Sequence, residues 1–163
     1  MIPIVSSYRI NERTMILIPV YHADYHTMVK ETNRTLYVRK TPLEIIESGC
    51  IHGFSTYEGR RKAIMFLTGY QRKVPIPILP TKHIFAFPTL SPENYDCHWL
   101  FPIHIETFAH VRKTKKVGKS KAVFKNGEEV FLQESVEVLE KQMQRTAYCA
   151  LRMVQEGIVK SFV

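Results

Sequence analysis

The residue pattern predicts an α+β fold: a single domain, mostly antiparallel sheet, with two short helices and a long C-terminal amphipathic helix. Three observations predict it. Short apolar runs punctuated by Pro, Gly and Asn fill residues 8–132, the pattern of strands and turns. Two segments, Thr41-Pro42-Leu43-Glu44 and Ser55-Thr56-Tyr57-Glu58, open with the residues that cap helix N-termini. From Ser135 onward apolar residues return every third or fourth position, as on one face of a helix. No repeat, low-complexity stretch or composition break divides the 163 residues, so residues 1–156 are read as one domain and 157–163 as a short tail.

Taken in order, residues 8–21 carry Ile10, Met15, Ile16, Leu17, Ile18 and Val20 around a polar Asn11-Glu12-Arg13 centre, which suggests a hairpin of two strands. Thr35 to Arg39 forms a third strand, and a helix follows from Thr41 to Glu47 or Ser48 with Gly49 ending it. The second helix runs from the Ser55 capping box toward Leu67, with Tyr57, Ile64 and Leu67 on one side and Arg60, Arg61 and Lys62 near or across from it. Pro75, Pro77 and Pro80 forbid helix and favour an extended edge or loop, before a strand at Ile84 to Phe87 that Pro88 closes. Trp99 to Val111 reads as a strand with a bulge. Phe124 to Glu128 then reads as a hairpin turn, in which Asn126-Gly127 supplies the two positive-φ positions of a type I′ turn. The last helix sets Val136, Leu139, Met143, Ala147, Ala150 and Val154 on its core face, with Gly157 as its stop.

Charge bounds the function. The formal net charge is +8, in the range that marks nucleic-acid contact. The excess is segregated: Arg60-Arg61-Lys62, Arg72-Lys73, and the acid-free run of Arg112, Lys113, Lys115, Lys116, Lys119, Lys121 and Lys125, while acids gather in 128–140. Such a field has a direction and seeks a polyanion. Double-stranded DNA is the first candidate. The alternative is a basic module that takes RNA or an acidic protein without reading sequence.

Enzyme signatures begin and fail to finish. Gly118-Lys119-Ser120 lacks the upstream glycine of a P-loop, where Lys113 stands, and Gly53-Phe54-Ser55-Thr56-Tyr57 lacks the closing glycine of a nucleophile elbow. His104-Ile105-Glu106 has no Pro-Cys-x-x-Cys to complete a zinc deaminase. Cys50, His52, Cys97 and His98 would supply four zinc ligands, but pairs one and two apart depart from the usual spacing, and His22 and His26 sit in a segment without helical period. No enzyme, cofactor or metal is expected. Phe85, Phe87, Trp99, Phe101 and Phe108 alternate with other apolar residues and are read as core, not as base-stacking platforms. The odd, widely spaced cysteines and the N-terminal Met1-Ile2-Pro3-Ile4 point to a reducing cytoplasm, and Pro19 interrupts the longest apolar stretch, so no membrane span is expected.

Five blocks together are similar to the ComK family of competence transcription factors: residues 53–63 (GFSTYEGRRKA), residues 84–91 (IFAFPTLS), Cys97-His98-Trp99 with Ile103-His104-Ile105, Phe124-Lys125-Asn126-Gly127, and Gln144-Arg145-Thr146-Ala147. They keep their order from about Tyr8 to Gln155. The resemblance implies a cytoplasmic DNA-binding activator of DNA-uptake genes that binds paired A/T-rich promoter boxes through the minor groove. It further implies a dimer or higher homo-oligomer, with an adaptor of the Clp protease and RNA polymerase as protein partners. Longer members continue past the final helix into a tail associated with activation and adaptor capture, whereas this chain ends at Val163. The resemblance names no contact residues. Charge does: the expected DNA face is Arg60, Arg61, Lys62, Arg72, Lys73, Arg112, Lys113, Lys115, Lys116, Lys119 and Lys121, with Arg60, Arg61 and Arg112 as the groove-reading candidates.

Overall fold

A computed structural model describes residues 1–112 and 118–161. Three helices and ten strands follow one another as β1 (Ile4–Val5), β2 (Thr14–Pro19), β3 (Thr27–Glu31), β4 (Thr35–Val38), α1 (Pro42–His52), α2 (Tyr57–Thr68), β5 (Ile76–Leu79), β6 (Ile84–Pro88), β7 (Trp99–Leu100), β8 (Ile105–His110), β9 (Ser120–Phe124), β10 (Glu129–Leu132) and α3 (Val136–Gln155). Seven strands make one sheet in the order β1-β4-β3-β2-β7-β6-β5, and β10-β9-β8 make a second. Every pairing is antiparallel except β1 with β4. The expected α+β class with a mostly antiparallel sheet and a long final helix is therefore what the chain adopts.

The large sheet is covered on both faces because its central strands alternate sides. Leu17, Val29, Ala86 and Trp99 join a core with Ile45, Ile46 and Cys50 of α1 and Ile64 of α2. Ile16, Phe87 and Leu100 join a second core with Phe108, Ala122 and Phe124 of the small sheet and Val136 and Leu139 of α3. Phe85, Phe87, Trp99, Phe101 and Phe108 are all buried.

Local chemistry corrects several expectations. Residues 8–21 hold one strand, β2, and its hairpin partner is β3, not the Tyr8 to Ile10 segment. Tyr8 is withdrawn from strand pairing by its hydroxyl, which meets Glu31 Oε2 at 2.5 Å and Thr14 Oγ1 at 2.7 Å. Thr41 and Glu44 make the anticipated capping box, but α1 runs past Gly49 to His52. Gly49 is there for space: a Cβ would stand 2.8 Å from both Ile10 Cδ1 and Ile78 Cγ2. In α2 the cap is Thr56, one residue later than expected, accepting from the Gly59 N–H at 2.9 Å. Glu58 is thereby freed to pair with Arg61.

Trp99 to Val111 is not one strand but two, β7 and β8, in different sheets, separated by a 3-10 turn at Pro102–His104. The β9–β10 hairpin is present, yet its turn is not type I′: only Gly127 has positive φ (+92°), and its N–H returns to the Phe124 carbonyl at 2.9 Å. That is a type I turn followed by a left-handed glycine, the three-residue connection. The buried residues of α3 are Val136, Leu139, Gln142, Thr146, Cys149 and Ala150. Ala147 is exposed, and the buried face includes two polar side chains that the apolar period passes over. The 157–161 segment folds back, with the Ile158 N–H on the Met153 carbonyl at 2.9 Å and Val159 buried. Among the described residues no helix is long and apolar enough to cross a membrane.

Candidate nucleic-acid interface

Between the end of α2 and the outer face of α3 lies an open cleft of about 750 Å3 lined by Tyr70, Arg72, Lys73, Lys141, Arg145 and Tyr148, among others. The 69–74 loop enters it through Gly69, whose φ of +79° ends α2 in the left-handed conformation. α3 then fixes the loop. Arg145 Nη2 donates to the Arg72 carbonyl at 2.9 Å and Nη1 to Gln142 Oε1 at 2.6 Å. Gln142 Nε2 donates to the Lys73 carbonyl at 2.8 Å and to the Pro88 carbonyl at 3.0 Å. The Arg145 guanidinium also lies 4.3 Å over the Tyr70 ring, a favourable placement for a cation. Lys73, held at φ +48°, thus turns its carbonyl inward while its side chain, with that of Arg72, lines the cleft. At the far end Arg152 Nη1 donates to the Leu67 carbonyl at 3.0 Å, satisfying an orphan acceptor at the end of α2.

Of the acid-free run, Arg112, Lys119, Lys121 and Lys125 are among the described residues. His110, the last residue of β8, is 3.7 Å from Glu137 in the first turn of α3, and Arg112 follows it, exposed. Lys119 returns to the fold through its N–H on the Leu132 carbonyl at 3.0 Å. Burial pushes the Glu134 carboxyl up against the pull of Lys73 and Lys119, which puts both lysines within electrostatic reach of one point. Neither makes an ion pair with it. Lys113, Lys115 and Lys116 lie outside the described residues. Lys121 points elsewhere: on β9 its Nζ meets Glu129 Oε2 at 2.8 Å across the strand pair.

The Arg60-Arg61-Lys62 group sits at the opposite end of α2 from the cleft. Arg60 is half-buried and its Nη2 donates to the Gly53 carbonyl at 3.0 Å, so it closes the α1–α2 turn. Arg61 Nη1 is 3.1 Å from Glu58 Oε1, an exposed pair of the kind that contributes little and exchanges readily. Lys62 is exposed without a carboxylate partner among the described residues. Of the eleven residues the eight described ones therefore fall into an Arg72–Lys73 pair with Lys119 near it, an α2 group of Arg60, Arg61 and Lys62, Arg112 just past β8, and Lys121 apart from them.

Two cations of the cleft, Lys141 and Arg145, were not among the residues that charge clustering singles out. A signal for them exists: Lys141, Arg145, Tyr148 and Arg152 recur at spacings of four, three and four, a basic and aromatic stripe on one helix face. A second basic cleft, with Arg9, Arg13 and Lys82 beside Arg60, gathers residues scattered singly in the sequence. The histidines and cysteines do something else. Cys50 and Cys97 are core residues whose thiols burial pushes up to about 11. Among the described residues no group of three or more His, Cys, Asp or Glu side chains is arranged to hold a metal ion.

The sequence profile of the family described as "ComK protein" matches residues 5–157. The competence transcription factor of Bacillus subtilis (strain 168) is 30% identical over 143 residues, covering 87% of this chain and 72% of that protein. No solved structure matches significantly.

Proposed function

From the premise that the chain belongs to the ComK family, we propose that it is a competence transcription factor, a protein that binds double-stranded DNA at the promoters of DNA-uptake genes and activates them. The observation that carries the DNA contact is the 750 Å3 cleft in which Arg72, Lys73, Lys141 and Arg145 meet. Arg72, Lys73 and Lys141 have no carboxylate ion-pair partner among the described residues. Each phosphate they neutralise releases condensed counterions, so affinity falls with salt at about 0.9 log units per contact.

Lys62, Lys119, Arg112 and the lysines at 113, 115 and 116 extend this phosphate-binding surface, and Arg61 joins it by exchanging Glu58 for a phosphate. Arg60 supports the fold, because its guanidinium is engaged with Gly53. The target is an A/T-rich box read through the minor groove, whose narrow A-tract form attracts guanidinium groups. Arg112, exposed two residues past the end of β8, is the candidate to enter it. Paired boxes call for at least two copies of the chain. RNA polymerase and a Clp adaptor are its protein partners, in the cytoplasm.

The test is a binding titration of fluorescent A/T-box duplex and scrambled duplex at two salt concentrations, with structured RNA as competitor. The expected result is preference for the A/T box, with both affinities falling steeply as salt rises. Equal affinity for all three nucleic acids would leave a basic module without sequence readout.

A further inference from the structure

The turn between α1 and α2 displays a phenylalanine that neither packing nor backbone preference accounts for. Phe54 is 99% exposed and has φ of +60°, a region that bulky residues enter only against strain. Its backbone is nevertheless held firmly. The Phe54 N–H donates to the Ile51 carbonyl at 3.0 Å and the Ser55 N–H to the Cys50 carbonyl at 3.1 Å. On its N-terminal side Arg60 grips the Gly53 carbonyl. Gly53 lies so close to β5 that a Cβ would stand 2.4 Å from the Ile78 carbonyl oxygen. Helix α1, helix α2 and the sheet edge together hold an apolar ring out in solvent, which is preorganisation rather than looseness.

The surroundings identify the partner. Phe54 borders an open cleft of about 630 Å3 whose cationic lining is Arg9, Arg13, Arg60 and Lys82. Arg9 has no carboxylate partner among the described residues. Arg13 and Lys82 have distant ones, 3.9 Å to Glu31 and 3.8 Å to Glu12, and Glu31 is held more closely by Arg34 at 2.7 Å. Ile158 adds an exposed apolar group. The cleft's cations, with a lysine among them and, among the described residues, no acid in its lining, suit a polyanion. An exposed ring collared by cations matches the wedges that minor-groove proteins press between base steps.

Resting on the DNA-binding reading above, we propose that Phe54 is a wedge residue: it enters between two stacked base pairs from the minor groove while Arg9, Arg13 and Lys82 hold the flanking phosphates, kinking the duplex. The separation of the two contacts is within the reach of one duplex. The 12 residues of α2 separate this turn from the Arg72–Lys73 cleft by about 18 Å, about half a helical turn of DNA.

The experiment uses the full chain and an A/T-box duplex carrying 2-aminopurine at successive steps, with end-labelled duplex reporting the bend by energy transfer. Binding by the unaltered protein raises fluorescence at one step and shortens the end-to-end distance. Phe54→Ala abolishes both signals while weakening binding by about fivefold to tenfold, the loss of one modest stacking contact. Phe54→Leu, still an apolar wedge, keeps part of each. Unstacking and bending by Phe54→Ala equal to those of the parent overturn the proposal. So does a Phe54→Ala protein that loses self-association by sedimentation with an unchanged DNA response, which would make the ring a contact between chains. Absence of any duplex binding by the parent removes the DNA reading itself, whereas binding without a Phe54-dependent signal removes the wedge alone.

Discussion

Arg145 uses its guanidinium to bond the Arg72 carbonyl and Gln142, and to cover Tyr70. Its contribution to the cleft is shape as much as charge. Arg145→Lys keeps the charge but loses the fork, leaving the part-buried Gln142 Oε1 and the exposed Arg72 carbonyl without their donor. The expected cost is about 0.5–1.5 kcal/mol in urea unfolding, together with weaker duplex binding. Unchanged affinity in a destabilised variant would separate the loop's position from recognition. Phe54 behaves in the opposite sense. Phe54→Gly relieves a positive φ and removes no buried contact, so it raises stability by about 0.5–1 kcal/mol. A fall in the unfolding midpoint would mean that the ring packs somewhere. A bulky residue kept where glycine is more stable is the pattern of a site that trades stability for contact.

At the scale of elements, sequence reading succeeded where the determinants are local. The Thr41 box, the Pro42 start of α1, the onset of α3 after Ser135 and the extended Pro77 strand, β5 at the sheet edge, all follow from residues within a few positions of one another. It failed where a distant neighbour decides. Gly49 looks like a helix stop until Ile10 and Ile78 close on it from other elements. Gln142 and Thr146 look solvent-facing until the carbonyls of Lys73 and Pro88 are known to need donors from the Gln142 amide. The candidate site divides in the same way. Arg72 and Lys73 are legible as charge, whereas Lys141 and Arg145 were hidden in a helix read for its core face. Gly49→Val tests the packing account directly. Overfilling the contact with Ile10 and Ile78 costs about 2–3 kcal/mol, although β-branched residues differ little from glycine in helix preference. A variant as stable as the parent would contradict that close approach.

For the whole molecule, buried titratable groups join segments far apart in sequence and set the acid limit of stability. Burial alone would push the Glu31 carboxyl up, but hydrogen bonds from Arg34, Tyr8 and Asn11 outweigh it and the net direction is down. Burial also lowers His98 and His104, the latter donating from Nε2 to the Glu12 carbonyl at 2.6 Å. All three folded values lie below the unfolded ones, so each contribution is complete above the unfolded pKa and is lost as pH falls through the folded value. The Tm is therefore expected to fall in two stages, below about pH 6.5 for the histidines and below about pH 4.3 for Glu31. A Tm that holds level from pH 7 to pH 4 would show that these groups do not differ between folded and unfolded chains.

The central claim is that the cleft between the 69–74 loop and α3 holds DNA phosphates. It is tested most directly by the slope of log affinity against log salt on an A/T-box duplex, for the parent and for the Arg72→Ala/Lys141→Ala double variant. Both side chains are exposed, so the fold is expected to survive their removal. Two lost phosphate contacts lower the slope by about 1.8. An unchanged slope with unchanged affinity would place the DNA elsewhere on the molecule.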